Sequence, residues 1–263
     1  MYANYHTHTK LCNHASGEMK QYVETAIKNG IKILGFSDHN PCVFKSDYYS
    51  THRMLPEEIR IYINNVLALR EEYENDIQIL LGYEMEYYPK HFDDTLKFLL
   101  DFECDYLILG QHFLDNEYDS FPVSKETKDE NILKKYVNQV IAAMNTGVFS
   151  YVAHPDIVGF AGDNIIYQRE MTKICQKAKE LKIPLEINLL GIRENRRYPI
   201  DDFWEIAAQV GNEVVLGSDA HSPEWAGNPQ NEEIALKYAH KFGIKPIEVV
   251  DLVKPKLKKY NDV

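Results

Sequence analysis

Cysteine is scarce and unpaired. Only Cys12, Cys42, Cys104 and Cys175 occur in 263 residues, with no paired spacing. That pattern excludes a disulfide-stapled scaffold and reads as reduced thiols in a cytoplasmic enzyme. No apolar run approaches the roughly 18 residues of a membrane helix, so no membrane partner is expected. The opening Met-Tyr-Ala-Asn-Tyr-His has no basic region leading into an apolar stretch, so no secretory signal is expected either. Extended basic tracts are missing too. Lys and Arg number 29 against 40 Asp and Glu, a net charge of −11 with His neutral. A long nucleic acid is therefore a poor partner, and an anionic substrate must be drawn in by a local cationic feature. There is no linker, low-complexity tract or solenoid repeat, and no Gly-rich phosphate turn follows any expected strand.

What is present is a chain 44% apolar and 26% charged, which excludes disorder. Its length suits one (β/α) barrel of about 250 residues, so residues 1–263 are read as a single domain. Short β-rich runs are expected at Ala3–His8, Ile33–Ser37, Ile77–Glu84, Tyr106–Gln111, Phe149–Ala153, Leu185–Leu189 and Val214–Ser218. Helical periodicity fills the intervals: Met19–Asn29, Pro56–Tyr73, Phe92–Phe102, Asn131–Asn145, Glu170–Leu181, Asp201–Val210 and Glu232–Phe242. Seven strand–helix alternations mean a parallel sheet with helices outside it.

Ten histidines are the one compositional excess that points at chemistry. His6, His8, His39, His112, His154 and His221 fall at the C-terminal ends of expected strands, beside Asp38, Glu84, Glu86, Asp156 and Asp219; the sixth strand carries Glu186 and Asn188. In a parallel barrel those ends share the face on which active sites are built. Side chains alternate along a strand, so His6 and His8 point one way, as do Asp219 and His221. Paired imidazoles are poor core material and good ligands for Zn, Fe or Ni, and carboxylates extend the set to Mn. His91 and His240, at or in helices, are expected exposed or half-buried and without a role. Cys12 is not counted as a ligand.

His6-Thr7-His8, Ser37-Asp38-His39, Gly82-Tyr83-Glu84, Gly110-Gln111-His112, Ala153-His154-Pro155 and Ser218-Asp219-Ala220-His221 follow one another in this order. The ordered set resembles the motifs of the PHP (polymerase and histidinol phosphatase) superfamily, and the chain looks most like its stand-alone histidinol-phosphate phosphatases. The resemblance implies an α/β fold, a distorted seven-stranded (β/α)7 TIM-like barrel with the metal site at the C-terminal ends of the strands. It implies three divalent ions (Zn, Fe or Mn). His6, His8, Glu84 and Asp219 would hold the first. Glu84 would bridge to a second, held by His112 and His154. His14, His39 and His221 would hold the third. Glu86 is given a supporting part and Asp38 that of an orienting group.

The activity implied is hydrolysis of a phosphomonoester, most specifically L-histidinol phosphate in histidine biosynthesis, through direct attack of a metal-bridging hydroxide with no phosphoenzyme. Alternative substrates are another small phosphoester such as a nucleotide, or a phosphotyrosine protein. Three divalent ions against Glu84 and Asp219 would make the pocket cationic inside an acidic protein. Asp219 and His221 are the candidates for protonating the leaving group, through metal-bound water, with Glu84 counted beside them as catalytic. Arg193, Arg196 and Arg197 follow the sixth strand in an expected loop and are candidate phosphate contacts, Arg193 first, since an Arg fork matches phosphate bidentately. His52, a candidate substrate contact, and Arg53 lie in the segment 40–55, which reads either as a lid over the substrate or as an ordinary long loop. Tyr87, Tyr88 and Trp225 are read as packing aromatics. The sequence leaves the oligomeric state open.

Overall fold

The computed structural model describes residues 1–45 and 48–257. Seven strands run in chain order around one parallel sheet: β1 (Ala3–Asn4), β2 (Ile33–Phe36), β3 (Gln78–Met85), β4 (Tyr106–Leu109), β5 (Tyr151–Val152), β6 (Leu185–Asn188) and β7 (Val214–Gly217). The sheet curls until its edges meet. A parallel bridge between Thr7 and Ala220 joins the exits of β1 and β7, with His8 N–H donating to the Ala220 carbonyl at 3.0 Å and Ala220 N–H to that of His6 at 3.3 Å. The expected seven-stranded barrel is what forms.

The seam explains its distortion. A strand expected over Ala3–His8 is regular only at Ala3–Asn4. Buried Asn4 turns its side chain along the backbone, accepting from the N–H groups of His6 (3.3 Å) and Ser218 (3.0 Å) and donating to the Thr7 hydroxyl (2.8 Å). One amide thereby replaces ladder bonds on both sides of the seam. Phe149–Ala153 likewise shortens to Tyr151–Val152.

The helices are α1 (Met19–Lys28), α2 (Ile59–Glu72), α3 (Phe92–Leu100), α4 (Glu130–Thr146), α5 (Asn164–Leu181), α6 (Leu189–Arg193), α7 (Asp201–Val210) and α8 (Pro229–Lys241). Each long one lays an apolar stripe on the barrel; in α4 it is Leu133, Tyr136, Val137, Val140, Ala143 and Met144. Two begin three or more residues earlier than their periodicity indicates. Asp163 accepts from Ile165 N–H and starts α5 six residues before Glu170; Asn228 accepts from the N–H groups of Gln230 and Asn231 and starts α8 at Pro229. The first turn of α5 holds exposed Ile165, so the apolar pattern is silent there. α6 falls where a loop is expected; Asn188 caps it by accepting from Gly191 N–H. His91, expected exposed or half-buried, is buried at the start of α3, its Nε2 3.2 Å from the Tyr118 hydroxyl. His240 is exposed.

Tyr5, Tyr106, Tyr151, Ile108 and Val215 fill the barrel interior together with Val250 from the chain beyond α8. That stretch is tied on by a bridge from Ile247 to Val215, by Val250 N–H to the Tyr5 hydroxyl (3.3 Å) and by Val253 N–H to the Ser150 hydroxyl (3.0 Å). Packing therefore closes one end of the barrel and leaves the strand exits for chemistry. All four cysteines are free and buried. Among the described residues no helix is long and apolar enough to cross a membrane.

Candidate metal centre

Each strand delivers its polar side chains to the same mouth. Glu84, at the end of β3 and 1% exposed, is the hub. Its Oε1 lies 2.8 Å from His154 Nε2 and 3.7 Å from His112 Nε2. Its Oε2 lies 3.2 Å from His39 Nδ1, 3.4 Å from His8 Nε2 and 3.5 Å from His6 Nε2. Asp219, beyond β7, places Oδ1 at 3.2 Å from His8 Nε2, 3.2 Å from His221 Nδ1 and 3.6 Å from His6 Nε2. His14, from the loop before α1, stacks on His221 with ring centroids 4.8 Å apart, and His8 stacks on His221 at 4.1 Å. Donor atoms of His6, His8 and Asp219 lie within 4.8 Å of one another, as do those of His6, Glu84 and His154, of His8, His39 and Glu84, and of His14, His39 and His221.

Such a cluster is costly as core. His6 Nε2, His8 Nε2, His39 Nδ1, His154 Nδ1, His221 Nε2 and Asp219 Oδ1 are buried without a hydrogen-bond partner, although buried polar atoms are normally satisfied. The electrostatics show the same demand. Burial alone would lower the pKa of His6, but the Glu186, Asp219 and Glu84 carboxylates push it up to about 10. Burial opposes a charge on His8 too, yet Asp219 and Asp38 raise it well above the usual imidazole value. Burial would raise Glu84, and His112, His6 and His39 hold it well below the carboxylate range. His14, by contrast, is lowered to about 4 by burial and by His221 and His8, and burial lowers His39 and His221. Carboxylates call for positive charge at a place where several imidazoles must stay neutral. Divalent cations meet both conditions at once, and the donor set fits them.

Supporting groups orient the donors. Asp38 Oδ1 sits 3.4 Å from His8 Nδ1, while its Oδ2 accepts from Thr9 N–H (3.1 Å) and hydroxyl. Glu86 Oε1 is 3.0 Å from His112 Nδ1 and its Oε2 accepts from Arg53 at 2.5 Å; both oxygens are engaged, which suits the supporting part and leaves bridging to Glu84. His154 and Asp219 both have positive φ, 30° and 44°. Backbone strain of this kind at non-glycine residues gathers where geometry serves function. Gly110 makes room for the hub: a Cβ there would come within 1.9 Å of Glu84 Oε1. Cys12 is buried beside His8 and His221, but burial pushes its thiol pKa up, against the thiolate a metal needs.

The cationic candidates diverge. Arg193 is braced rather than free: its two terminal nitrogens donate to the carbonyls of Ser218 (2.9 Å) and Asp219 (3.0 Å), and its guanidinium lies 4.8 Å from the Trp225 ring. Arg196 donates to Glu194 and, at 3.2 Å, to the Tyr198 hydroxyl, and the Tyr198 ring stands 5.8 Å from His154. Arg197 forms an exposed ion pair with Glu126. His52 is exposed, its ring 6.3 Å from His14 and 6.1 Å from Phe113. Arg53, read from sequence as part of a lid, is a buried anchor held by Glu86, Glu117 and the Asn40 carbonyl; residues 46 and 47 of that segment lie outside the described residues. Sequence reasoning gave no role to Glu186, Asn188, Glu117 or Tyr198. For Glu186 and Asn188 a signal existed, since they alternate on β6 toward the mouth.

The family model described as PHP domain matches residues 4–189. The chain is 30% identical, over 84% of its length and 87% of the relative's, to the "Probable histidinol-phosphatase" of Deinococcus radiodurans. It is 26% identical to the histidinol-phosphatase of Bacillus subtilis, over 82% and 92%. Among solved structures, the histidinol phosphate phosphatase of Lactococcus lactis in complex with zinc, L-histidinol and phosphate is similar, with a TM-score of 0.70, 18% identity and 95% and 98% of the two chains covered.

Proposed function

The chain belongs to the PHP domain family, and from that premise we propose that it is a metal-dependent phosphomonoesterase that hydrolyses L-histidinol phosphate to L-histidinol and phosphate. The observation that carries the chemistry is the set of buried, unpartnered imidazole and carboxylate atoms gathered around Glu84 and Asp219. The substrate follows the relatives.

Three divalent ions are proposed, with zinc, manganese and iron as candidates. His6, His8, Glu84 and Asp219 would hold the first; Glu84, His112 and His154 the second; His14, His39 and His221 the third. When bound, the ions supply positive charge for the phosphoryl oxygens and make an attacking water more acidic. The chain does the rest. Glu84 offers its two oxygens to different histidines and so spans two groups. Asp38 and Glu86 fix the rings of His8 and His112, so that their Nε2 atoms face inward. Arg196 is assigned to the phosphate, supported by its contact with Tyr198 beside His154. Arg193 shapes the corner that carries Asp219 instead of binding substrate. His52 and Phe113 form a wall for the organic part. Asp219, buried with its carboxyl held well below the usual range by His6, His221 and His8, and His221, 18% exposed, would orient a water from which a proton reaches the departing alkoxide.

Phosphate release from a panel tests the reading: histidinol phosphate, nucleoside monophosphates and a phosphotyrosine peptide, with Zn, Mn or Fe supplied. Histidinol phosphate is expected to lead in kcat/KM. Losing to another member by more than tenfold would overturn the substrate assignment.

A further inference from the structure

Glu186 is fully buried on β6 and stands on the Nδ1 side of His6, whose Nε2 faces Glu84 and Asp219. Its two oxygens have separate tasks. Oε2 is 2.8 Å from His6 Nδ1, and Oε1 accepts from Asn188 Nδ2 at 2.6 Å. The same Asn188 nitrogen donates to Asp219 Oδ2 at 3.0 Å. The chain is built to leave space for this carboxylate: a Cβ at Gly217, on the neighbouring strand, would stand 2.2 Å from Glu186 Oε2.

A carboxylate next to Nδ1 accepts a hydrogen bond from it and keeps the proton there, so the nitrogen His6 frees on giving up a proton to a cation is Nε2. That Nε2 is the unpartnered atom facing Glu84 and Asp219. Asn188 acts likewise on Asp219, occupying Oδ2 and leaving Oδ1 buried and unpartnered toward the centre. β6 thus reaches two donors on either side of the barrel seam, where β1 has only two ladder residues and a single bridge closes the sheet. Backbone bonding is sparse there, so side chains must set the relation between His6 and Asp219.

We infer that Glu186, tied through Asn188 to Asp219, is a positioning residue that sets the His6 tautomer and aligns His6 with Asp219 for metal binding. The inference rests on reading the cluster as a metal centre. It does not depend on the substrate.

The test uses Glu186→Gln and Glu186→Ala in the full chain. Gln is isosteric and leaves no cavity, but it lacks the charge and sets an NH2 group against one of the two donors. Metal-free protein is titrated with Zn2+ or Mn2+ against a chromophoric chelator, and the His6 tautomer is read from its ring 15N shifts in the Zn2+-loaded protein, where the ring is neutral. Orienting groups behind a metal-ligating His are typically worth about 10–100-fold in affinity. Glu186→Gln is therefore expected to bind metal at least tenfold more weakly and to shift the His6 tautomer population, with metal-free thermal stability near that of the parent. Parental metal affinity and an unchanged tautomer in Glu186→Gln would overturn the inference. Weakened metal binding in a protein whose parent releases phosphate from none of the esters would leave the positioning role standing and remove the phosphatase reading. Should Glu186→Ala fail to fold, Glu186→Gln alone decides.

Discussion

At Gly110 the lack of a side chain decides where Glu84 goes. The Glu84 carboxylate occupies the volume that a β-carbon at Gly110 would need, with only 1.9 Å between them. Gly110→Ala should fold, since a methyl group can be met by rotating Glu84, but the rotation takes Oε1 and Oε2 away from the five histidines they face. A displacement of about 1 Å in a catalytic group can cost on the order of 100-fold, and a loss of that size in kcat/KM is expected. Activity within a few-fold of the parent, at matched metal content, would contradict the central role of Glu84. Most of the candidate ligand residues were legible as residues because motif order and strand-end position both single them out. The arginines were not. Arg193, Arg196 and Arg197 are alike in sequence, yet one braces two carbonyls, one meets Tyr198 and one pairs with Glu126. A long side chain chooses its partner only after folding has set out the acceptors.

At the scale of elements, regular hydrophobic alternation gave the seven strand–helix units, and caps moved their boundaries. Asp163 is exposed and caps α5. An N-cap of this kind is worth about 1 kcal/mol, and in a domain of this size that corresponds to about 2–4 °C in Tm. Asp163→Ala is expected to lower Tm by that amount in a thermal melt, with phosphatase activity unchanged. An unaltered Tm would mean that α5 is held by packing alone. The short α6 escaped sequence reading because five residues show no period; Asn188 caps it and also serves Asp219. Arg53 is a similar case. A loop arginine between expected elements looks solvent-facing until the fold places Glu86 and Glu117 around it.

For the whole molecule, the net charge of −11 coexists with a mouth where Asp38, Glu84, Glu86, Glu186 and Asp219 are all buried. Cations at that mouth stabilise the folded chain by mass action, by about 4 kcal/mol when metal is present at 1,000 times its Kd. Chelation followed by dialysis is expected to abolish activity and lower Tm on the order of 10 °C, and re-addition of metal to restore both. Phosphatase activity that persists after metal content falls below stoichiometric traces would defeat the metal-dependent reading.

By itself the sequence determined the alternation of strands and helices, the gathering of histidines and acids at strand ends, and the family those motifs resemble, because each of these is written in local order and spacing. Only the tertiary structure decided which ring nitrogens are left unpartnered, that Glu186 and Asn188 reach His6 and Asp219 across the seam, and which arginine stands near the mouth. Those facts depend on distances between segments far apart in the chain. Such distances arise only when barrel closure brings β1, β6 and β7 side by side.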